Sequence, residues 1–130
     1  MIYQVGDIVR LKTNNQKMVV ESICGKTGGG FFKADVFCVY YDSIERKIHA
    51  KYYNPNLLDY ICHSDHDIVP ELGKEVILKS GGTKCVIDEI DGDNVSCIYD
   101  NGRIDQHNYK IWDNAENPQN RVGKSLIIKF

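Results

Sequence analysis

Two stretches of the chain share one pattern of apolar and polar positions. Residues 5–12 and 72–79 each contain a glycine followed by apolar side chains at alternate positions, and residues 17–23 correspond to residues 84–90 at the same offset of 67. Successive side chains of a β-strand point to opposite faces of a sheet, so a period of two indicates a half-buried strand. Each copy is therefore predicted to begin with two strands.

A third strand is predicted in each copy, because residues 36–40 and 95–99 repeat the order Val, Cys and Tyr at alternate positions. Polar turns separate the strands. Residues 13–16 and 80–83 contain Asn or Gly, which tolerate a positive φ, and Asp-Asn-Gly at 100–102 is a hairpin signal. The sequence thus predicts a meander of short strands.

Helical signals are scarce. Asn54 precedes Pro55 and is predicted to cap a single helical turn there. Residues 114–120 predict a loop, and the apolar residues 125–130 predict a terminal strand that pairs within the fold, since an unpaired apolar edge would aggregate.

A repeat of this length indicates two copies of one small structural unit. We expect residues 1–67 to form the first unit, with a glycine-rich insert at 25–35, and residues 68–130 to form the second unit with the C-terminal strand. About five short antiparallel strands in about 60 residues can curl into a barrel around one core. The predicted fold class is all-β, with two tandem SH3-like barrels and little helix.

The alternation also predicts which side chains line each core. The inward positions of the first unit are Val9, Leu11, Met18, Val20, Cys38 and Tyr40. Those of the second unit are Val76, Leu78, Cys85, Ile87, Cys97 and Tyr99.

The outward face of the third strand is unusually apolar in the first unit. Phe37, Val39 and Tyr41 alternate with its inward positions, whereas the second unit has Ser96 and Asp100 at two of the three matching places. A large exposed apolar patch marks a contact surface. We therefore predict an interaction surface covered by the second unit, another subunit or a foreign partner. Its residues are Phe31, Phe32, Phe37, Val39, Tyr41, Tyr52 and Tyr53.

Composition narrows the classes of partner. The chain carries 16 Lys and Arg against 18 Asp and Glu, without the basic excess that nucleic-acid binding usually requires. No apolar run approaches the ~20 residues of a membrane span, and the first residues show no signal-peptide pattern. Five cysteines are an odd number in such a chain, so we expect reduced, structural thiols. A cytoplasmic location without membrane contact is the resulting expectation.

No motif predicts a catalytic, cofactor or metal site, and none of the three is expected. Cys62, His63 and His66 lie close together with two aspartates, but a closed zinc site needs about four ligands in fixed geometry. We interpret residues 62–67 as a solvated linker at the junction of the units, with metal binding as the open alternative. No spacing pairs a cysteine with a histidine for nucleophilic catalysis.

The repeated sequence resembles a known family. The order Val-Gly-Asp-Ile-Val-Arg-Leu-Lys from residue 5, a polar turn, Lys-Met-Val-Val-Glu-Ser-Ile, and then Val-x-Cys-x-Tyr is similar to the repeat of the YodC-like family of small uncharacterised bacterial proteins. Asn14 and Asn15 replace that family's glycine pair, Cys85 replaces Met in the second copy, and both copies carry Tyr where Trp is common. The resemblance implies tandem SH3-like barrels and implies no activity.

Small barrels commonly present loops and aromatic clusters to peptides or other proteins. The function expected first is a non-catalytic binding or adaptor module that acts through protein–protein contacts, including self-association. RNA binding is the alternative, because residues 6–11 also resemble the start of KOW-type barrels, and an enzyme is the third hypothesis. RNA binding would need a basic patch from Arg10, Lys12, Lys17, Lys33 and Lys51.

Overall fold

The computed structural model describes residues 3–24 and 35–115, which form ten β-strands in two five-stranded antiparallel sheets. The predicted all-β class is confirmed, since the described residues contain two 3₁₀ turns and no α-helix. Nothing in this part of the chain is a helix of the length and apolar character that spanning a bilayer demands. The glycine-rich residues 25–34 and the predicted strand at 125–130 lie outside the described residues.

The first sheet has the strand order β4-β3-β2-β1-β5. Its strands are β1 (Asp7–Leu11), β2 (Lys17–Cys24), β3 (Asp35–Asp42), β4 (Lys47–Tyr53) and β5 (Leu58–His63). After the meander from β1 to β4, the chain makes a 3₁₀ turn at Pro55–Leu57 and returns as β5 to pair with β1. The predicted cap is confirmed, because Asn54 Oδ1 accepts the amide of Asn56 at 2.9 Å.

The second sheet has the order β10-β6-β7-β8-β9. Its strands are β6 (Glu75–Leu78), β7 (Cys85–Asp91), β8 (Asn94–Ile98), β9 (Ile104–Asn108) and β10 (Trp112–Asn114). A second 3₁₀ turn, Tyr109–Ile111, precedes β10, and Asn108 Oδ1 caps it by accepting the amide of Lys110 at 2.8 Å. This turn was not predicted, because no proline marks it in the sequence. Asn114, predicted to begin a loop, instead ends β10.

The two sheets repeat each other strand by strand when β1 to β5 are matched with β6 to β10. One irregularity repeats as well: the register shifts between Val20 and Ser22 in the first sheet, and between Ile87 and Glu89 in the second. These places are 67 residues apart. The duplicated sequence therefore builds a duplicated sheet with a β-bulge at the same position.

Buried side chains form two clusters that do not divide as the repeat does. The second cluster contains all six predicted core positions of the second unit, but it also includes Ile8, Val19 and Val39 of the first sheet. The two predicted cores are thus present as separate clusters, but the second is larger than predicted because it also takes in one face of the first sheet. The first cluster comprises Tyr3, Val9, Met18, Val20, Val36, Cys38 and Leu58.

Two predicted core residues of the first unit are less buried than expected. Leu11 and Tyr40 lie at the margin of the first cluster and remain half-buried. Leu11 is the last residue of β1 and Tyr40 stacks on His49, with ring centroids 5.3 Å apart. Among the described strands, the outer strands β4 and β5 pair with one neighbour each and not with each other. The architecture is thus two similar antiparallel sheets.

The different burial of two matching leucines can be tested by truncation. We expect Leu78→Ala to lower the free energy of unfolding by about 2–5 kcal/mol, because Leu78 is fully buried and its removal leaves a cavity. Leu11→Ala is the matched control and should cost less, since half-buried Leu11 already contacts water. Urea unfolding of both variants measures the difference, and equal losses would contradict this account of the core.

The buried thiol of Cys38 predicts how stability changes at alkaline pH. Burial raises the pKa of this thiol from 9.0 to about 12, so the folded state favours the protonated form. Its contribution to stability is complete below pH 9 and is lost as the pH rises towards 12. The stability difference between the wild type and Cys38→Ala should therefore shrink above pH 9. Cys62→Ala, which removes an exposed thiol, is the control, and a difference that stays constant in urea unfolding across this range would contradict the prediction.

Candidate functional site

The predicted interaction surface separates into different environments. Phe31 and Phe32 lie outside the described residues. Val39 is fully buried within the cluster that joins the two sheets, and Phe37 and Tyr41 pack against that cluster. Tyr53 does not join them, because it lies on the opposite face of β4 and packs on the first cluster. The second unit therefore covers the outward face of β3.

A contact between two aromatic rings and a glycine brings the units together at Tyr41. The Tyr41 ring stacks on Tyr99 of the second unit, with centroids 5.2 Å apart. A Cβ on Gly82 would lie 2.7 Å from the Cβ of Tyr41, which is too close for two carbon atoms. Gly82 also has a φ of +136°, a conformation that side chains disfavour. Only glycine at this position allows the loop after β6 to approach Tyr41.

Phe37 and Tyr52 form the wall of a cleft between the units. They face each other across β3 and β4, with ring centroids 4.7 Å apart and planes tilted by 52°. The cleft, called here the seam cleft, has a volume of about 460 Å³. Both units contribute to its lining: Glu21, Ser22, Phe37 and Tyr52 from the first, and Asn94, Gln106, His107 and Asn108 from the second.

Glu21 is the polar centre of the seam cleft. It is placed there by the β-bulge between Val20 and Ser22, which disrupts the alternation of β2. Its Oε1 lies 2.8 Å from His107 Nδ1, and its Oε2 accepts the amide of Asn108 at 2.8 Å. Both side chains of the Glu21–His107 pair are largely buried. The imidazole of His107 also contacts the indole of Trp112 edge-on, which fixes the ring from the other side.

No sequence motif predicted a role for Glu21 and His107. The two residues are 86 positions apart, and no local pattern links them. One signal was present: a polar residue interrupts the apolar run at Glu21, and Asp88 interrupts the second copy at the matching place. An interruption that occurs in both copies is typical of a bulge.

A smaller cleft lies near Tyr41 on the same boundary between the units. Its volume is about 250 Å³. It is lined by Gln16, Lys17, Tyr40, Tyr41, Ser43, Ser80, Gly81 and Gly82. The outward face of β3 thus has one cleft at Phe37, another at Tyr41, and the buried Val39 between them.

The junction predicted to be a solvated linker is held to the rest of the fold at two points. His63 belongs to β5, and its Nδ1 lies 2.6 Å from Oδ1 of the buried Asp7. Lys79, whose side chain is 1% exposed, donates from Nζ to Asp67 Oδ1 at 2.9 Å and to the carbonyl of Ser64 at 3.1 Å. All of residues 62–67 except the half-buried Ser64 are exposed, as expected of a solvated junction. The buried ammonium of Lys79 nevertheless needs its two partners there.

Among the described residues, the three side chains close enough to share a metal ion are Asp42, Glu45 and His49, rather than Cys62, His63 and His66. His49 Nε2 lies 2.6 Å from Glu45 Oε1 and 3.3 Å from Asp42 Oδ2. Asp42 Oδ1 accepts the amides of Ile44 and Glu45, and the hydrogen bond from Glu45 is the largest cause that lowers the pKa of Asp42. These contacts stabilise the hairpin turn between β3 and β4.

The histidines and cysteines do not combine into a nucleophile and base. Within the described ranges, His49, His63 and His107 hydrogen-bond to carboxylates, and none bonds to a thiol or hydroxyl. The pKa of Cys97 is raised by its contact with Cys85 and by burial, so its thiol stays protonated near neutral pH. Comparison of the chain with protein-family models and with curated proteins finds no match.

The outward face of β3 can be tested by a double substitution. Replacing Phe37 and Tyr41 with Ser removes two rings that pack against the second unit, while the first cluster keeps its side chains. We expect the single thermal transition of the wild type to split into two, because the units lose their shared apolar contact. Differential scanning calorimetry measures this.

The matched control is Tyr60→Ser with Ile61→Ser, two exposed side chains on β5. It should keep a single transition. If the Phe37 and Tyr41 double variant also melts in one transition at the wild-type temperature, the face does not hold the units together.

Proposed function

We propose that the chain is a non-catalytic binding module that takes a protein segment in the seam cleft. The observation that carries the proposal is the composition of this cleft. One wall is an aromatic pair, the other side offers the amide groups of Asn94, Gln106 and Asn108, and two units form it together. Aromatic rings give a peptide contact area at a low entropic cost, and amides pair with its backbone.

The fold proposed for each unit is a small SH3-like barrel of the YodC-like kind. Each sheet is a meander of four strands, followed by a 3₁₀ turn and a fifth strand that pairs with the first. This strand order supports the proposal, as does the pair of Asn caps at Asn54 and Asn108. Such barrels commonly bind peptides on their surface, which is an analogy at the level of the fold.

The charges of the cleft favour a protein segment over RNA. Among the residues that the structure describes, its lining contains the carboxylate of Glu21 and no Lys or Arg, whereas phosphate groups need cationic partners. Other basic side chains are partly neutralised: Arg10 and Lys12 lie 3.5 Å and 4.0 Å from the carboxylate of Asp59. Lys33 lies outside the described residues. A peptide with neutral or basic side chains is therefore the ligand that fits best, and RNA is the alternative that the test must address.

Tyr52 is the residue with which to test binding, because its side chain is 52% exposed and its truncation leaves both clusters intact. Peptides are selected from a random display library on the wild-type protein and measured by titration calorimetry. We expect Tyr52→Ala to weaken their binding roughly thirtyfold, equivalent to about 2 kcal/mol for the loss of an aromatic anchor. Tyr60→Ala is the control at another exposed tyrosine, which lies on β5, and should bind like the wild type.

Two results would overturn the proposal. One is a selection that yields no peptide with a dependence on Tyr52. The other is binding of labelled RNA that weakens steeply between two salt concentrations and is insensitive to Tyr52→Ala, since this behaviour is typical of phosphate contacts.

A further inference from the structure

The two units meet through different surfaces. The first unit contributes one face of its sheet, and the second unit contributes one end of its fold. The face is a row of residues across four strands of the first sheet, paired as Ile8 with Val19, Val19 with Val39, and Val39 with Ala50. Ile8, Val19 and Val39 are buried. The side chains that bury them belong to the second unit, so this row is called here the covered row.

The end that covers this row includes the 3₁₀ turn Tyr109–Ile111 of the second unit. The turn contacts β2, and Ile111 lies fully buried in the same cluster as the covered row. Asn108, which caps the turn, donates its amide to Glu21. Ile111 at the end of the turn thus packs with the apolar covered row, and the amide of Asn108 at the start of the turn pairs with the carboxylate of Glu21.

Because the units are copies, each of these two surfaces has a counterpart in the other unit. Both counterparts are more exposed than the originals, within the part of the chain that the structure describes. The row of the second sheet pairs Glu75 with Val86, Val86 with Ile98, and Ile98 with Ile104. Val86 and Ile98 are half-buried, and Ile104 is 55% exposed. This set is called here the open row.

The counterpart of the covering end is the 3₁₀ turn Pro55–Leu57 of the first unit. Leu57 takes the place of Ile111 when the two Asn caps are matched, but it is 44% exposed, whereas Ile111 is fully buried. The polar partners are present too. Asp88 takes the place of Glu21 at the second bulge, and Asn54 takes the place of Asn108.

We propose that a second copy of this chain docks head to tail, with the Leu57 end of one molecule on the open row of the next. The docking repeats between molecules the contact that joins the two units within one molecule. It buries Leu57 against Ile98 and Ile104 and brings the Asn54 end of the turn to the carboxylate of Asp88. This self-association goes beyond the proposed peptide binding and uses none of the lining of the seam cleft.

The contact joins two different surfaces, the Leu57 end and the open row. However many molecules are added, a linear assembly therefore keeps one unoccupied Leu57 end and one unoccupied open row. Such a heterologous contact produces chains or rings rather than a closed dimer. The contact between molecules is weaker than the one within them for two reasons. Glu75 replaces Ile8 in the row, and Ser96 and Asp100 replace the rings of Phe37 and Tyr41. The units of one molecule are also held at an effective concentration in the millimolar range.

Two single variants, each blocking one surface, test the proposal. Leu57→Lys places a charge on the end and Ile104→Lys places one on the open row, both at exposed positions where folding tolerates lysine. Val69→Lys, at an exposed apolar residue on neither surface, is the control. The mass of the protein alone is measured by sedimentation at rising concentrations up to about 1 mM.

We expect the wild type and Val69→Lys to grow beyond the dimer as concentration rises, and each blocking variant to stay monomeric. An equimolar mixture of the two blocking variants should form a dimer and nothing larger, because one intact end meets one intact row. A monomeric wild type throughout this range would overturn the proposal. Growth of either blocking variant alone, or a mixture that stays monomeric, would overturn it equally.

Discussion

Burial of the covered row is the interaction on which the rest of the structure depends. Ile8, Val19 and Val39 leave water only because the second unit packs on them, and they then form part of its core. A unit of about 60 residues buries a smaller fraction of its surface on folding than a larger domain does, and is marginally stable alone. Packing one face of the first sheet into the core of the second unit enlarges that core and buries apolar surface that neither unit could bury alone. The polar contacts of Glu21 and Lys79 and the ring contact of Tyr41 with Tyr99 lie along the same boundary.

The two units contribute different surfaces to their contact, and this difference accounts for how the two copies have diverged. Where the first sheet must be covered, it has apolar or aromatic residues, such as Ile8 and Phe37, and the second copy has Glu75 and Ser96 at the matching places. The covering turn shows the opposite change: Ile111 is buried, and its counterpart Leu57 is exposed. The duplication alone would make the copies equal, and their difference reflects their different positions in the contact.

Much of the fold could be predicted because its signals are local and repeated. Alternation assigned the inward positions, the turn residues marked the strand ends, and Asn54 before Pro55 marked the first 3₁₀ turn. The same alternation identified Phe37, Val39 and Tyr41 as an apolar face, although it left open what covers them. A period of two in the sequence indicates on which face of the sheet a side chain lies, but it does not indicate what packs against that face.

What the sequence could not predict depends on contacts between distant residues. Glu21 and His107 meet only after both sheets have formed and packed, and the bulge that turns Glu21 into the cleft leaves a weak trace in the pattern. Lys79 resembles any strand-end lysine until Asp67 and Ser64 are placed beside it. The half-buried state of Leu11 depends on its place at the end of β1 rather than on its type.

The position of the seam cleft links ligand binding to the contact between the units. Glu21, Phe37 and Tyr52 come from the first unit and Gln106 and His107 from the second, so the complete cleft exists only while the units are packed together. A ligand that contacts both sides binds the packed state and not the separated one. By mass action it stabilises the packing. The same condition applies in reverse, because the packing of the units is what brings the two sides of the cleft together. The boundary between the two copies is thus both the main support of the fold and the place where binding can be built.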